Sequence, residues 1–415
     1  MASDNPAPAA PVRIERIAAG GDGVGRLADG RTVFVARTAP GDLIEPAAVV
    51  LHKRFARATV GLLLQPGPDR VEPRCPHYVR DRCGGCQLQH LAPEAQRVVR
   101  QRIAGDALRR LGKLDVADPP IEPAPDDWHY RTRITLHRDG KRIGLRPLDQ
   151  PTRAFDLEHC FITSTSLMDA WRVVRAHREL LPADWNRLVL RLDREGHRHL
   201  ILEADDGTTW RDAPGLAEVL EAEAAPASLW LRSGSSPAHV AGPDSGVAAA
   251  AFEQVHPAVA WMARAFALDR LSAGEGDVVW DLYAGLGDTS RALAKSGATV
   301  TSVESDPDAV AWAEHHGDDG LAIQRRTGRA EREVQSLPDP DLVITNPPRT
   351  GMDGGVVDEI ARRAPRRMAY ISCDPATLAR DIARLGASWT LTGWRAFDQF
   401  PQTGHVESVA LLEPR

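Results

Sequence analysis

Hydrophobic and polar residues alternate over short stretches in the first part of the chain, which is the pattern of β-strands. Such stretches cover residues 13–17, 32–36, 43–50 and 58–64, with a glycine cluster at residues 20–25 between the first two. Four or five short strands predict a small β-barrel of the oligonucleotide-binding kind at residues 12–66. An SH3-like barrel without a nucleic-acid role fits the same pattern.

The middle of the chain mixes helical and strand-like patterns. A helix is predicted over residues 94–111, opening after Pro93 and stopping at Gly112. Short alternating segments further on predict strands, and the Ala/Gly/Ser/Pro-rich segment 205–250 shows no recognisable site. We therefore expect a disordered Ala/Pro tail at residues 1–11, the barrel, and a central α+β domain at residues 67–250.

From Pro257 onward, predicted strands and helices alternate up to the C-terminus. This alternation predicts a doubly wound, mostly parallel sheet for a third domain at residues 251–415. The expected fold class is thus multidomain α/β: a barrel, a central α+β domain and a Rossmann-like C-terminal domain. Ligands bind at the carboxyl ends of the strands in such sheets, so motifs that follow strands are candidates for chemistry.

Composition narrows the class of protein. The chain has 415 residues, 43% hydrophobic and 26% charged, with a net charge of −6. These values exclude fibrous and wholly disordered proteins, and no apolar run approaches the ~18 residues of a membrane span. With no secretory signal, we expect a cytoplasmic monomer without a membrane or an obligate protein partner. Residues 51–113 carry 13 Lys and Arg against 5 Asp and Glu, a basic segment that a nucleic acid could bind.

A glycine-rich turn, Asp281-Leu-Tyr-Ala-Gly-Leu-Gly-Asp288, follows a predicted strand and precedes a helix. The next strand ends at Glu304, whose carboxylate can accept both hydroxyls of a ribose. An aspartate before the glycines, with this second acid, suits a cofactor that has an amino-acid end and a nucleoside end. S-adenosylmethionine is such a cofactor, and a nucleotide fold that binds NAD is the alternative.

Cys373 follows a predicted strand, and Asp374 and Pro375 are suited to begin the next helix. A thiol before a helix N-terminus is expected to have a lowered pKa and to be a nucleophile, the alternative being an unreactive buried cysteine. Beside such a thiol, Glu407 or His405 could be a general base. Arg349 stands after Asn346-Pro-Pro, where enzymes that methylate amino groups have an aromatic residue, which argues against that activity.

The other four cysteines have a spacing suited to a metal. Cys75, Cys83 and Cys86 are clustered, and Cys160 lies further along. Four thiolates can hold zinc or an iron–sulfur cluster, and spacing does not decide between them. The five cysteines thus divide into four candidate ligands and one candidate nucleophile.

These motifs resemble the bacterial RNA 5-methyluridine methyltransferases, particularly the branch that acts on 23S ribosomal RNA. The resemblance is carried by Cys83-Gly-Gly-Cys86-Gln-Leu-Gln-His90, the turn after Asp281, Ser372-Cys373-Asp-Pro-Ala-Thr-Leu-Ala-Arg-Asp381 and Phe400-Pro-x-Thr-x-His-Val-Glu407. It implies that the barrel is a TRAM domain, that the four cysteines hold a [4Fe–4S] cluster, and that S-adenosylmethionine is the methyl donor. It also implies that helix 94–111 packs on the catalytic domain.

The resemblance implies roles for individual residues. Cys373 would add to C6 of uracil, Glu407 would remove the C5 proton, and Phe252 would stack on the target base. The implied cofactor positions are Gln254, Tyr283, Gly285, Asp288, Glu304 and Asn346.

Some positions depart from the family pattern: the Cys75–Cys83 gap is longer, and His256, Asp288, Asn346 and Arg329 replace more usual residues. Cys373 and Glu407 match the family pattern. A transfer-RNA enzyme of the same family and a catalytically idle RNA-binding relative are the alternatives.

Overall fold

The structure is a computed structural model that describes residues 10–234, 236–244, 253–317 and 320–415. The tail predicted at residues 1–11 therefore lies almost entirely outside the described residues. No helix in the described part of the chain is long and apolar enough to cross a membrane.

Five strands close into a barrel: β1 (Val12–Ile17), β2 (Gly23–Arg26), β3 (Thr32–Val35), β4 (Leu43–Leu51) and β5 (Phe55–Gln65). Their order is β1-β2-β3-β5-β4, and β1 and β4 pair to close it. Val33 and Val35 are fully buried because alternate side chains of a strand point inward. The predicted barrel is confirmed. Part of the glycine cluster forms β2. Strand β2 needs glycine at these positions, because a Cβ at Gly23 or Gly25 would collide with atoms of the neighbouring chain segments.

A second sheet has six strands: β7 (Arg133–Asp139), β8 (Arg142–Gly144), β9 (Trp185–Leu192), β10 (Arg198–Ala204), β11 (Ala227–Arg232) and β12 (Ala238–Ala241). Their order is β12-β11-β10-β9-β7-β8, and two helices share its core, α3 (Thr165–Ala176) and α4 (Ala213–Glu223). Helix α4 and the last two strands lie in the segment that the sequence left unassigned. Leu216 and Leu220 are the larger apolar residues that α4 buries, so its periodicity is weak.

The C-terminal sheet contains β13 (Val278–Leu282), β14 (Thr299–Glu304), β15 (Ile323–Thr327), β16 (Leu342–Thr345), β17 (Arg367–Ser372), β18 (Trp389–Phe397) and β19 (Glu407–Pro414), with the short β6 (Ile121–Glu122) at one edge. The order is β15-β14-β13-β16-β17-β19-β18-β6. Strands β13 to β17 are parallel, and β19 is antiparallel to β17 and β18. The doubly wound sheet expected from the alternation is confirmed, with an antiparallel edge.

The helices around this sheet are α5 (Pro257–Leu271), α6 (Asp288–Lys295), α7 (Pro307–His315), α8 (Ala330–Glu333), α9 (Gly354–Arg363) and α10 (Pro375–Leu385). Two strands at or near the edges of this sheet, β15 and β18, were not predicted from the sequence. In β15 the only apolar residue is Ile323, and in β18 Gly393 breaks the alternation at a bulge. Edge strands bury less apolar surface, so their signal in the sequence is weaker.

Two helices precede the central sheet, α1 (Pro76–Val79) and α2 (Pro93–Arg110). Helix α2 packs against α10, and its Leu108 belongs to the apolar core of the C-terminal sheet. Arg100 of α2 is buried and forms an ion pair of 2.7 Å with the buried Asp398. Its Nη1 also donates to the carbonyl of Thr403 at 3.0 Å. This pair ties α2 to the chain that leads into β19.

Replacing Arg100 with alanine is expected to destabilise the protein by about 3–5 kcal/mol, because Asp398 would be left as a buried charge without its main partner. Urea unfolding would measure the change. Arg102→Ala is the matched control, since Arg102 lies on the same helix and is exposed. Equal unfolding midpoints for the two variants would contradict this account of the pair.

Candidate active site

Two neighbouring strands bring Cys373 and Glu407 together. In the antiparallel pair β17–β19, Ser372 lies opposite Ser408, so continuing the register places Cys373 opposite Glu407. Asp374 accepts hydrogen bonds from the backbone N–H groups of Ala376 (2.8 Å) and Thr377 (3.0 Å), which caps α10. The thiol therefore lies between the end of a strand and the start of a helix, as the sequence predicts.

The pKa of the Cys373 thiol differs from the lowered value that the sequence predicts. Burial raises the pKa of Glu407 to about 8, and within the described residues its Oε2 has no hydrogen-bond partner. Burial, and then the charge of Glu407, raise the pKa of Cys373 to about 11. The predicted lowering of the thiol pKa is therefore wrong, because desolvation and a neighbouring carboxylate outweigh the helix N-terminus. Both groups favour their protonated forms near neutral pH.

Arg349 lies in the site, although the sequence pattern assigned it no role there. Its charge lowers the pKa of both Cys373 and Glu407, against the effect of burial. It also adds to the lowering of the pKa of His405 by burial. Arg349 follows Pro348 after the carboxyl end of β16 and lines the same cavity as Cys373. An arginine just beyond a strand end could have been singled out from the sequence, because negative charge that forms during a reaction is stabilised by a nearby cation.

The glycine-rich turn after β13 is shaped for a ligand. Tyr283 and Gly285 have positive φ angles of 60° and 55°, and a Cβ at Gly285 would have no atom of the described residues within 4 Å, so the turn faces open space. Oε2 of Glu304 accepts the Gly285 N–H at 2.9 Å, which joins the ends of β13 and β14. Asp281 accepts hydrogen bonds from Thr289 and Ser290, and burial raises its pKa to about 6.

One cavity of about 1410 Å³ joins these groups. This volume exceeds the usual range of small-molecule pockets, roughly 300–1,000 Å³, so a cofactor and a flipped base could share it. Glu407 is buried beside Cys373. Phe252, the predicted stacking residue, lies outside the described residues. The predicted residues that line the cavity are Gln254, Tyr283, Gly285, Asp288, Glu304, Asn346 and Cys373.

The four remaining cysteines line the wall of the same cavity. Cys75, Cys83 and Cys86 are buried, Cys160 is partly exposed, and all four are free thiols. Burial raises the pKa of the three buried thiols, and their mutual proximity, together with Cys160, adds to this. Among the described residues there is no group of three or more His, Cys, Asp or Glu that could hold a metal ion.

Comparison with known proteins gives full-length relatives. One from Gloeobacter violaceus, named an uncharacterized RNA methyltransferase, is 32% identical over 97% of this chain and 96% of its own length. A protein of the same description from Corynebacterium efficiens is 32% identical over 97% of this chain and 94% of its own. The chain belongs to the RNA methyltransferase family. The family model described as tRNA (Uracil-5-)-methyltransferase matches residues 335–415, which hold Cys373 and Glu407, and the resemblance to the RNA 5-methyluridine methyltransferases is confirmed.

A solved structure shares the fold of this RNA methyltransferase. It is described as Pyrococcus abyssi tRNA (uracil-54, C5)-methyltransferase in complex with S-adenosyl-L-homocysteine. The TM-score is 0.73 at 22% identity, and the match covers 97% of this chain and 99% of the other. The arrangement of barrel, central sheet and C-terminal sheet is therefore found in a protein of known structure.

Proposed function

We propose that this RNA methyltransferase transfers a methyl group from S-adenosylmethionine to C5 of a uridine, through a covalent bond between Cys373 and C6 of the base. The observation that carries the proposal is the pairing of a cavity-lining thiol with a buried carboxyl group across β17 and β19. C5 of uracil is a poor nucleophile, and adding a thiolate at C6 makes it reactive. A catalytically idle protein would have no use for a buried carboxyl group held beside a cavity-lining thiol at a cost in stability.

The cavity fits the cofactor. Gly285 leaves open space where any other residue would place a side chain, and Glu304 stands at the end of β14, where an acid can accept ribose hydroxyls. When bound, the cofactor supplies an electrophilic methyl group on its sulfonium. The residues proposed to hold it are Gln254, Tyr283, Gly285, Asp288, Glu304 and Asn346.

The protein groups can be assigned to successive bond changes. The Cys373 thiolate forms the Sγ–C6 bond, and the electrons of the C5–C6 double bond move onto O4. As the O4 carbonyl re-forms, C5 bonds to the methyl group, whose bond to the sulfonium sulfur breaks and leaves a neutral thioether. Glu407 removes the remaining C5 proton, the double bond reforms and the Sγ–C6 bond breaks, which releases the cysteine. Arg349 favours the ionised forms of both residues, as its effects on their pKa values indicate.

We propose RNA contact by the barrel, as in a TRAM domain. At the turn between β4 and β5, the rings of His52 and Phe55 stack 4.4 Å apart, and Lys53 and Arg54 are exposed beside them. The exposed His52 ring and the partly exposed Phe55 ring beside basic side chains suit single-stranded RNA, because bases stack on rings and phosphates need cations. We propose 23S ribosomal RNA as the target and a transfer RNA as the second candidate, the latter favoured by the shared fold.

The experiment that tests this function is mapping of 5-methyluridine in ribosomal and transfer RNA from cells with and without the gene. Loss of a 5-methyluridine from 23S ribosomal RNA alone is expected. Loss from transfer RNA would favour the second target, and unchanged 5-methyluridine in both RNAs would overturn the proposal. We expect the protein to act as a monomer in the cytoplasm.

We also propose that Cys75, Cys83, Cys86 and Cys160 hold a [4Fe–4S] cluster. A four-iron cluster places iron and sulfide between its ligands, so its cysteines stand farther apart than those of a single ion. Four thiols on one cavity wall, near enough to affect one another's pKa, are in keeping with such ligands. All four thiols are free and three of them are buried, which suits metal ligands better than a disulfide framework.

Protein purified without oxygen is expected to contain about four iron atoms and four sulfides per chain and to absorb near 400 nm. Cys86→Ser should lose most of this iron, whereas Cys373→Ser, the matched control, should keep it. Iron and acid-labile sulfide analysis makes the measurement. Zinc in place of iron, or equal iron in both variants, would contradict the cluster.

A further inference from the structure

The turn between β9 and β10 of the central sheet reaches the cofactor turn of the C-terminal sheet. At its tip, Arg194 donates from Nη1 to Oδ1 of Asp288 at 3.0 Å and from Nη2 to Oδ2 at 3.4 Å. Its Nε donates to Glu253 at 3.0 Å, and its guanidinium lies 4.4 Å from the ring centroid of Trp312. Four interactions thus fix one side chain at the boundary between two sheets.

The tip that carries Arg194 is itself held in shape. Asp193 accepts hydrogen bonds from the N–H groups of Glu195 and His197, both at 2.9 Å. Its other oxygen lies 3.0 Å from Nε2 of the fully buried His199. A turn with a buried carboxylate at its base keeps one conformation, so the position of Arg194 is set before any ligand arrives.

Three arginine side chains surround Asp288. Arg194, Arg264 and Arg291 all lie within 4 Å of it, and Glu253 is the other carboxylate in the group. Glu253 is itself shared, since it also pairs with Arg191 at 2.9 Å. Although burial would raise the pKa of Asp288, the three guanidinium groups hold it below its usual value. The group therefore suits a ligand that brings a carboxylate.

Arg194 also has hydrogen-bonding capacity left. An arginine has five N–H donors, and the three bonds to Glu253 and Asp288 use three of them. Within the described part of the chain, two donors of Arg194 have no protein acceptor. Arg194, Glu253 and Asp288 all line the cavity that also holds Glu304. Glu304, which can bind a ribose, and the arginines around Asp288 thus lie at different places around the same turn. A cofactor with a nucleoside end and an amino-acid end needs this separation.

We propose that Arg194 binds the carboxylate of the amino-acid end of the cofactor, so that the cofactor site is completed by a residue of the central sheet. Asp288 orients the guanidinium of Arg194 and can accept a hydrogen bond from the ammonium group of the same ligand. This inference rests on the proposed function, because it takes S-adenosylmethionine as the cofactor. It adds that the cofactor site needs the central sheet as well as the C-terminal one.

The test compares two ligands that differ only at the relevant end. S-adenosylhomocysteine carries the amino acid, whereas 5′-methylthioadenosine keeps the adenosine and the thioether and lacks the carboxylate and the ammonium. Arg194→Met is expected to weaken S-adenosylhomocysteine binding by about 10- to 100-fold, the range for losing a hydrogen bond between charged groups. Its affinity for 5′-methylthioadenosine should stay unchanged. Isothermal titration calorimetry on the full chain would measure both.

Arg187→Met is the matched control, since Arg187 lies on β9, the strand that leads into the turn of Arg194, and pairs with Glu203 instead; both affinities should stay at the wild-type level. Equal weakening of both ligands in Arg194→Met would show a merely structural role and overturn the inference. Unchanged binding of both ligands by Arg194→Met would also overturn the inference. Weaker binding of a single-stranded RNA alone would overturn it too, because it would indicate a phosphate site. If the wild-type chain binds neither ligand, the proposed function itself is wrong.

Discussion

Cys373→Ala is expected to abolish methylation, with a fall in rate of at least about 10⁴-fold, while RNA binding stays near the wild-type level. The thiol is the one group at the carboxyl end of β17 that can form the bond to C6, and without that bond C5 does not become nucleophilic. Transfer of a labelled methyl group to RNA measures the rate, and a filter-binding assay measures the affinity.

Cys160→Ala is a useful comparison for this variant. Both cysteines line the cavity and both are partly exposed, but Cys160 lies among the four candidate cluster ligands. Loss of iron together with activity in Cys160→Ala, and of activity alone in Cys373→Ala, would separate the two roles. Full methylation by Cys373→Ala would show that the proposed mechanism is wrong.

Glu407→Gln is expected to stop the reaction after methyl transfer. The amide cannot take the C5 proton, so the Sγ–C6 bond cannot break and the RNA should stay bound to Cys373. A shifted band in denaturing gel electrophoresis, with the methyl label in it, would show the trapped adduct. Turnover should fall by about 10³-fold or more. Normal turnover without an adduct would assign the base to another group, of which His405 is the nearest candidate in the sequence.

The same substitution should stabilise the fold, since burial works against the ionised carboxylate. The pKa of Glu407 is about 8 in the folded chain against a usual 4.5. Ionisation of Glu407 therefore favours the unfolded chain. The resulting loss of wild-type folding stability is absent below about pH 4.5 and grows up to about pH 8. At pH 7 the free energy of unfolding of Glu407→Gln should exceed that of the wild type by about 3 kcal/mol. Urea unfolding at pH 4 and pH 7 would check this, and an equal difference at both pH values would contradict it.

The pH dependence of methylation should follow the same two groups. Both Glu407 and Cys373 have raised pKa values, so the reactive forms of both become more populated as pH rises above neutrality. Arg349 opposes both shifts, and Asp374 adds to that of Cys373. The rate should therefore increase between about pH 7 and pH 9, and replacing Arg349 with methionine should move the profile to higher pH.

Much of the site could be predicted from the sequence because its residues follow strands. Asp281, Glu304, Asn346 and Cys373 each stand at or just beyond the end of a strand, and alternation of strands and helices places such ends at one edge. The roles of Gln254 and Phe252 could not be reached this way and came from the resemblance alone. Segments with weak periodicity, such as α4 and β15, were missed because they bury few apolar side chains.

By itself, the sequence predicted a barrel followed by a doubly wound sheet, and both are confirmed; it also offered four cysteines as candidate ligands and the fifth as a candidate nucleophile, which stay predictions. These depend on local patterns of apolar residues, glycine and cysteine, which act over a few neighbouring positions. The tertiary structure alone decided that Cys373 faces Glu407, that burial raises the pKa of both, and that Arg194 reaches Asp288. Each of these depends on strand order or on distance from water, which residues far apart in the chain set together.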